Sequence, residues 1–167
     1  MEGPIVFLSS DPIAVPCLEA CLRLDASLVA CVVTSPDRPR GRGQRLQPNA
    51  VAGFARKAGL PVFQPNVPEG AFFRQLAGSG VRLGVVFSYG KILRRSVLEA
   101  LPEGFVNLHA SPLPRLRGAS PIETAIALGW KETAVTLMRV VRRMDAGPMG
   151  PRRPVPIGGE DCGADLR

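Results

Sequence analysis

The sequence predicts an α/β fold built on a mostly parallel sheet, on two observations. Short, nearly continuous apolar runs recur along the chain, at Ile5–Leu8, Leu28–Val33, Leu83–Phe87, Phe105–Leu108 and Ala134–Val141. They lack the strict alternation of a strand with one wet face, so burial on both faces is expected, as in a parallel sheet. Amphipathic stretches lie between them, and alternation of strand with helix implies right-handed crossovers.

Each helical segment has its own signal. Ile13–Leu24 places Val15, Leu18, Cys21 and Leu22 on one face, with Ser10 or Asp11 available as a cap before Pro12. Asn49–Ala58, Glu69–Ala77 and Arg95–Ala100 follow. Pro121–Leu128 opens with a Ser120 cap, a proline at the first helical position and Glu123 in the first turn. From Ser35 to Pro48 the segment SPDRPRGRGQRLQP is too long for an ordinary strand-to-helix connection, and its glycines and prolines argue against regular structure. Long loops of that kind usually carry a function.

Composition narrows the classes. The 167 residues fit one domain with a core of its own, and 46% apolar with 21% charged residues is a globular balance. No apolar run approaches the ~18 residues of a membrane helix, and the amino terminus lacks a secretory layout, so a cytoplasmic protein without a membrane partner is expected. Cys17, Cys21, Cys31 and Cys162 form no CxxC pair and only one histidine could join them, so no metal site is expected, and buried small hydrophobes are the plain reading. The net charge is +7, and only Lys57, Lys91 and Lys131 of the 21 basic residues are not arginine. Arg38, Arg40, Arg42 and Arg45 crowd the long loop, while Arg139, Arg142, Arg143, Arg152 and Arg153 crowd another stretch. Such clusters fit a polyanion such as nucleic acid, and the 5% aromatic content points to phosphates rather than stacked bases.

Chemistry is expected beyond the carboxyl ends of the strands. Leu83–Phe87 runs into Ser88, Tyr89 and Gly90, with the only tyrosine of the chain. Phe105–Leu108 runs into FVNLHASPLPRLRGASP, where Asn107 and His109, two apart, share one strand face while Val106 and Leu108 face packing. An amide can donate to a developing oxyanion, and an imidazole can move a proton or add a second donor. A histidine satisfied by backbone carbonyls is the alternative; Asn107 beside it and the proline-rich wall Ser111–Pro121 behind it favour chemistry. Asp145 is a third polar group, able to orient an imidazole if the fold brings it close. GxGxxG, GxxxxGK[ST] and GxSxG motifs are absent.

The run NLHASPLPRLRGASPIETAI (Asn107–Ile126) resembles the signature of the folate-dependent formyltransferases. SPDRPRGRGQRL (Ser35–Leu46) is similar to the basic loop of the family members that act on tRNA. FSYGKIL (Phe87–Leu93) and Asp145-Ala146-Gly147 add two shorter matches in the family's order. The resemblance implies a Rossmann-like fold with helices on both faces of the sheet. It implies transfer of a formyl group from 10-formyltetrahydrofolate to the amino group of initiator methionyl-tRNA, a step of translation initiation. Asn107, His109 and Asp145 would be catalytic. Folate would lie along Ser88, Tyr89 and Gly90 and along Ser111, Pro112, Leu113 and Pro114. Arg38, Arg40, Arg42 and Arg45 would grip the tRNA acceptor end, with no metal and no obligatory protein partner.

Three departures stand out: Ser9-Ser10-Asp11-Pro12 where the family has Gly-Thr-Pro-Asp, Pro112 in place of a leucine, and Val140-Val141-Arg142-Arg143 ahead of Asp145. Residues 1–167 are expected to be the family's amino-terminal catalytic domain, incomplete at its carboxyl end and without the carboxyl-terminal barrel. The alternatives are a formyltransferase acting on a small amine, such as an amino-sugar or ribonucleotide, and a truncated non-catalytic relative.

Overall fold

Val6, Phe7 and Leu8 are wholly buried in the computed structural model, so strand β1 (Ile5–Leu8) is covered on both faces. That burial follows from four apolar residues in a row, and it is the expected signature of a parallel sheet. The structure describes residues 3–40, 45–47 and 49–167. They fall into two compact units, Met1–Phe105 and Val106–Arg167.

In the first unit β1 pairs in parallel with β2 (Val29–Val33) and with β6 (Leu83–Phe87), and β2 pairs in parallel with β5 (Val62–Phe63). Parallel neighbours need crossovers, and α1 (Val15–Leu24), α2 (Ala50–Lys57) and α3 (Gly70–Gly78) supply them, followed by the single turn α4 (Arg95–Leu98). Asp11 caps the 3-10 turn Pro12–Ala14 that leads into α1, its Oδ1 accepting the Ile13 N–H at 3.1 Å. Asn49 caps α2 by accepting from Ala52 N–H at 2.9 Å, while its Nδ2 donates to Thr34 Oγ1 and the Ser35 carbonyl. One amide therefore starts a helix and ties it to the end of β2. The rings of Phe73 and Phe105 meet edge-on, 5.5 Å between centroids. Gly84 makes room for that arrangement, because a Cβ there would strike the Phe105 ring.

In the second unit β8 (Glu132–Arg139) lies between β7 (Phe105–His109), whose residues from Val106 onward belong here, and β9 (Met149–Pro156), antiparallel to both. Helix α5 (Pro121–Ala127) precedes β8. Ser120 sits at its cap position without a side-chain capping bond, and Glu123 instead pairs with Arg167 at 2.6 Å.

Several expectations change. The segment from Ser35 to Pro48 is not wholly irregular: β3 (Arg38–Arg40) pairs antiparallel with β4 (Arg45–Gln47). Pro39 is tolerated because a two-stranded ribbon leaves strand positions without a ladder bond to make. The fifth apolar run begins earlier, at Glu132, and β9 was not expected because three prolines and two arginines disguise it. Val106 and Leu108 are half-buried rather than packed away. Of the cysteines only Cys31 is buried; Cys17 and Cys21 are half-buried one turn apart on α1, and Cys162 is exposed. The hydrogen bond from the Cys17 thiol lowers Cys21 to about 7 and raises Cys17.

Two glycines should respond oppositely to alanine. Gly84→Ala forces Phe105 to move and should lower stability by about 2 kcal/mol, the scale of core overpacking. Gly53→Ala, inside α2 with nothing within 4 Å of the new Cβ, should raise stability by roughly 0.5–1 kcal/mol. Urea denaturation of both variants checks the pair, and equal midpoints would contradict the packing described.

Candidate active site

Strand β7 delivers His109 at its last residue, and the chain then folds back sharply. Ser111 N–H donates to the His109 carbonyl at 2.9 Å, and Leu113 N–H donates to the Ser111 carbonyl at 2.9 Å. Thr136, opposite His109 in the β7–β8 register, donates from Oγ1 to the Ser111 carbonyl at 2.6 Å and accepts from Leu113 N–H at 3.3 Å. Two of the loop's buried backbone groups are thus answered by one hydroxyl, which fixes the loop where prolines alone would only stiffen it.

His109 is 6% exposed. Its Nδ1 lies 2.9 Å from Ser111 Oγ, and its Nε2 lies 3.2 Å from Asp145 Oδ2 and 3.3 Å from the Gly118 carbonyl. Asp145 Oδ2 also accepts the Gly118 N–H at 2.8 Å. The carboxylate therefore joins the loop after β7 to the turn before β9. Asp145 adopts φ 46°, a left-handed conformation that aspartate tolerates better than most residues. Gly147 completes that turn, since a Cβ there would collide with the Arg139 carbonyl.

Asn107, two residues ahead of His109 on β7, is half-buried and registers with Met138. The structure thus brings His109 and Asp145 into contact, with Asn107 on the strand face that carries His109. In the proline wall Ser111 and Leu113 are buried, Pro112 is half-buried and Pro114 is exposed. Arg142 and Arg143, the departure ahead of Asp145, are exposed. Arg115 lies over the Trp130 ring, 4.2 Å from its centroid.

Ser88, Tyr89 and Gly90 belong to the first unit, directly after β6. Ser88 and Gly90 take φ 50° and 74°, so the chain turns tightly on either side of Tyr89. Tyr89 is 2% exposed, and its hydroxyl has no hydrogen-bond partner among the described residues. Burial pushes the phenol up to about 12, so it stays a neutral donor. Arg38 and Arg40 lie on β3 and Arg45 on β4; Arg42 lies outside the described residues.

Sequence reasoning missed Thr136, the Gly118 N–H and the bond between Ser111 and His109. The two-residue spacing of His109 and Ser111 was a usable signal for the last. Nothing local to Thr136 marks it, because its partners are set by strand register.

Such a site can hold an imidazole rigidly beside a carboxylate, with an amide on the same strand face, which suits transfer at a carbonyl carbon. Among the described residues no three His, Cys, Asp or Glu side chains are grouped to hold a metal ion, and no helix is long and apolar enough to cross a membrane. A family model described as formyl transferase matches residues 5–166. The chain belongs to the formyl transferase family. The methionyl-tRNA formyltransferase of Methylococcus capsulatus is 47% identical over 163 residues, covering 97% of this chain and 53% of that protein. That of Heliobacterium modesticaldum is 44% identical over 157 residues, covering 94% and 49%. The chain spans about half the length of the curated relatives it matches. Glycinamide ribonucleotide transformylase 1 from Symbiobacterium toebii superposes with a TM-score of 0.77 at 25% identity, over 98% of this chain and 78% of that one. The fold is accordingly the α/β, Rossmann-like one of the formyl transferases.

Thr136→Val removes both hydrogen bonds to the loop while keeping its shape. Stability should fall by about 1–2 kcal/mol, the scale of one or two lost buried hydrogen bonds. A thermal melt matching that of the parent chain would show that the loop does not depend on Thr136.

Proposed function

We propose that this chain transfers a formyl group from 10-formyltetrahydrofolate to the amino group of initiator methionyl-tRNA. The observation that carries the reading is the contact of His109 with Asp145 at the end of the strand that bears Asn107. The relatives named methionyl-tRNA formyltransferase supply the acceptor.

When bound, the folate substrate supplies the formyl carbon. The methionyl nitrogen forms a bond to that carbon, the bond from the carbon to N10 breaks, and one proton passes from the amine to N10. Asn107 and His109 donate to the formyl oxygen as it gathers negative charge. Asp145 holds His109 in place and receives the amine proton directly or through the imidazole. Holding the two substrates together contributes much of the remaining rate.

The donor would rest along Ser88, Tyr89 and Gly90 and beside Ser111, Pro112, Leu113 and Pro114. Arg38, Arg40, Arg42 and Arg45 would grip the phosphates of the acceptor end. That basic segment is what favours tRNA over a small amine.

The deciding assay gives purified chain 10-formyltetrahydrofolate and methionyl-tRNA. Formyl-methionyl-tRNA should form, and Asn107→Ala should lower kcat by about 10²–10³-fold, the scale of one lost oxyanion donor. Turnover of a small amine in place of methionyl-tRNA would move the assignment to another acceptor. Arg42→Ala should raise KM for methionyl-tRNA by roughly tenfold with folate binding unchanged; unchanged tRNA kinetics would remove the basic segment from acceptor binding.

A further inference from the structure

Ser111 is wholly buried, and its hydroxyl has a single hydrogen to donate. That hydrogen goes to the Arg115 carbonyl at 2.8 Å, inside the turn that folds the loop back. What Ser111 Oγ then presents to His109 Nδ1, 2.9 Å away, is a lone pair. A hydrogen on Nδ1 completes the contact, while a bare Nδ1 would set lone pair against lone pair.

The other ring nitrogen is held differently. Nε2 faces the Gly118 carbonyl at 3.3 Å and Asp145 Oδ2 at 3.2 Å, two acceptors at the long end of hydrogen-bond geometry. Asp145 Oδ2 meanwhile has a shorter bond from Gly118 N–H at 2.8 Å. One side of the ring is anchored by a short bond to a buried, doubly engaged hydroxyl. The opposite side faces two acceptor oxygens at longer distances. The Ser111 backbone is fixed in turn by Thr136, so the anchor rests on the sheet itself.

We infer that Ser111 is a positioning residue for His109: by giving its own hydrogen to the Arg115 carbonyl it keeps a hydrogen on Nδ1, fixes the ring, and leaves Nε2 as the end that meets substrate. This deepens the proposed formyl transfer, and only its kinetic arm rests on that reading. Ser111 acts through the imidazole and need not touch either substrate.

His109 is the only histidine of the chain, so the imidazole resonances of ¹⁵N-labelled protein come from this ring alone. In the substrate-free chain near pH 7.5, nitrogen–proton correlation should show hydrogen on Nδ1, protected from solvent exchange. In Ser111→Ala the protected Nδ1–H signal should vanish and the ring should shift to the form protonated on Nε2 only. Ser111→Thr, which restores the hydroxyl, should recover the signal. With methionyl-tRNA, kcat of Ser111→Ala should fall roughly tenfold, the size of one ordinary hydrogen bond, with KM unchanged. A bare Nδ1 in the parent chain overturns the inference with no substitution needed, and so does an unaltered ring spectrum in Ser111→Ala. If the parent chain fails to formylate methionyl-tRNA, the function assigned above fails while the spectra still decide the role of Ser111.

Discussion

The carboxylate of Asp145 is the joint on which the geometry of the second unit's candidate site depends. Its Oδ2 takes the Gly118 N–H at 2.8 Å and meets His109 Nε2 at 3.2 Å. One atom thereby holds the loop after β7 against the turn before β9 and faces the imidazole. The backbone conformation of Asp145 is unfavourable in isolation, and positions of that kind persist only where their surroundings over-determine them. Here Gly147 supplies the room and Gly118 supplies the bond. Remove any of the three and the turn has no reason to keep its shape.

A rigid site of this kind needs support from regular structure, and β8 gives it through one side chain. Thr136 is 1% exposed and bonds twice to the loop, so the proline wall is held by strand register as well as by its own stiffness. Proline fixes φ but leaves carbonyls free, and those carbonyls must find donors once buried. The Ser111 carbonyl finds Thr136; the Arg115 carbonyl finds Ser111 itself. The same geometry that satisfies the loop orients the imidazole, so stability and positioning come from one set of bonds.

How much of this could be read from the chain depended on how local each signal was. Strands β1, β2 and β6 and helix α1 were legible because continuous apolar runs and a one-faced helix repeat are local patterns. The placement of Asn107 and His109 on one strand was legible through the apolar run that carries them and their two-residue spacing. The ribbon of β3 and β4 was not, because its pairing of Arg38 with Gln47 is a cross-strand fact hidden under glycine and proline. Strand β9 was obscured for the same reason, and β8 begins two residues before its apolar run. The contact between His109 and Asp145 had to await the fold. So did the roles of Thr136 and Gly118, which exist only in three dimensions.

Strand β9 carries a consequence of a different kind. It pairs with β8, and its residues from Pro151 to Pro156 include three prolines and two adjacent exposed arginines. A strand that is paired on one side offers its other side as a template for a neighbouring chain. Prolines break the row of donors such a template needs, and like charges keep a second copy of the same strand away. The features that disguised β9 as a non-strand therefore also guard it against edge-to-edge aggregation while the molecule folds.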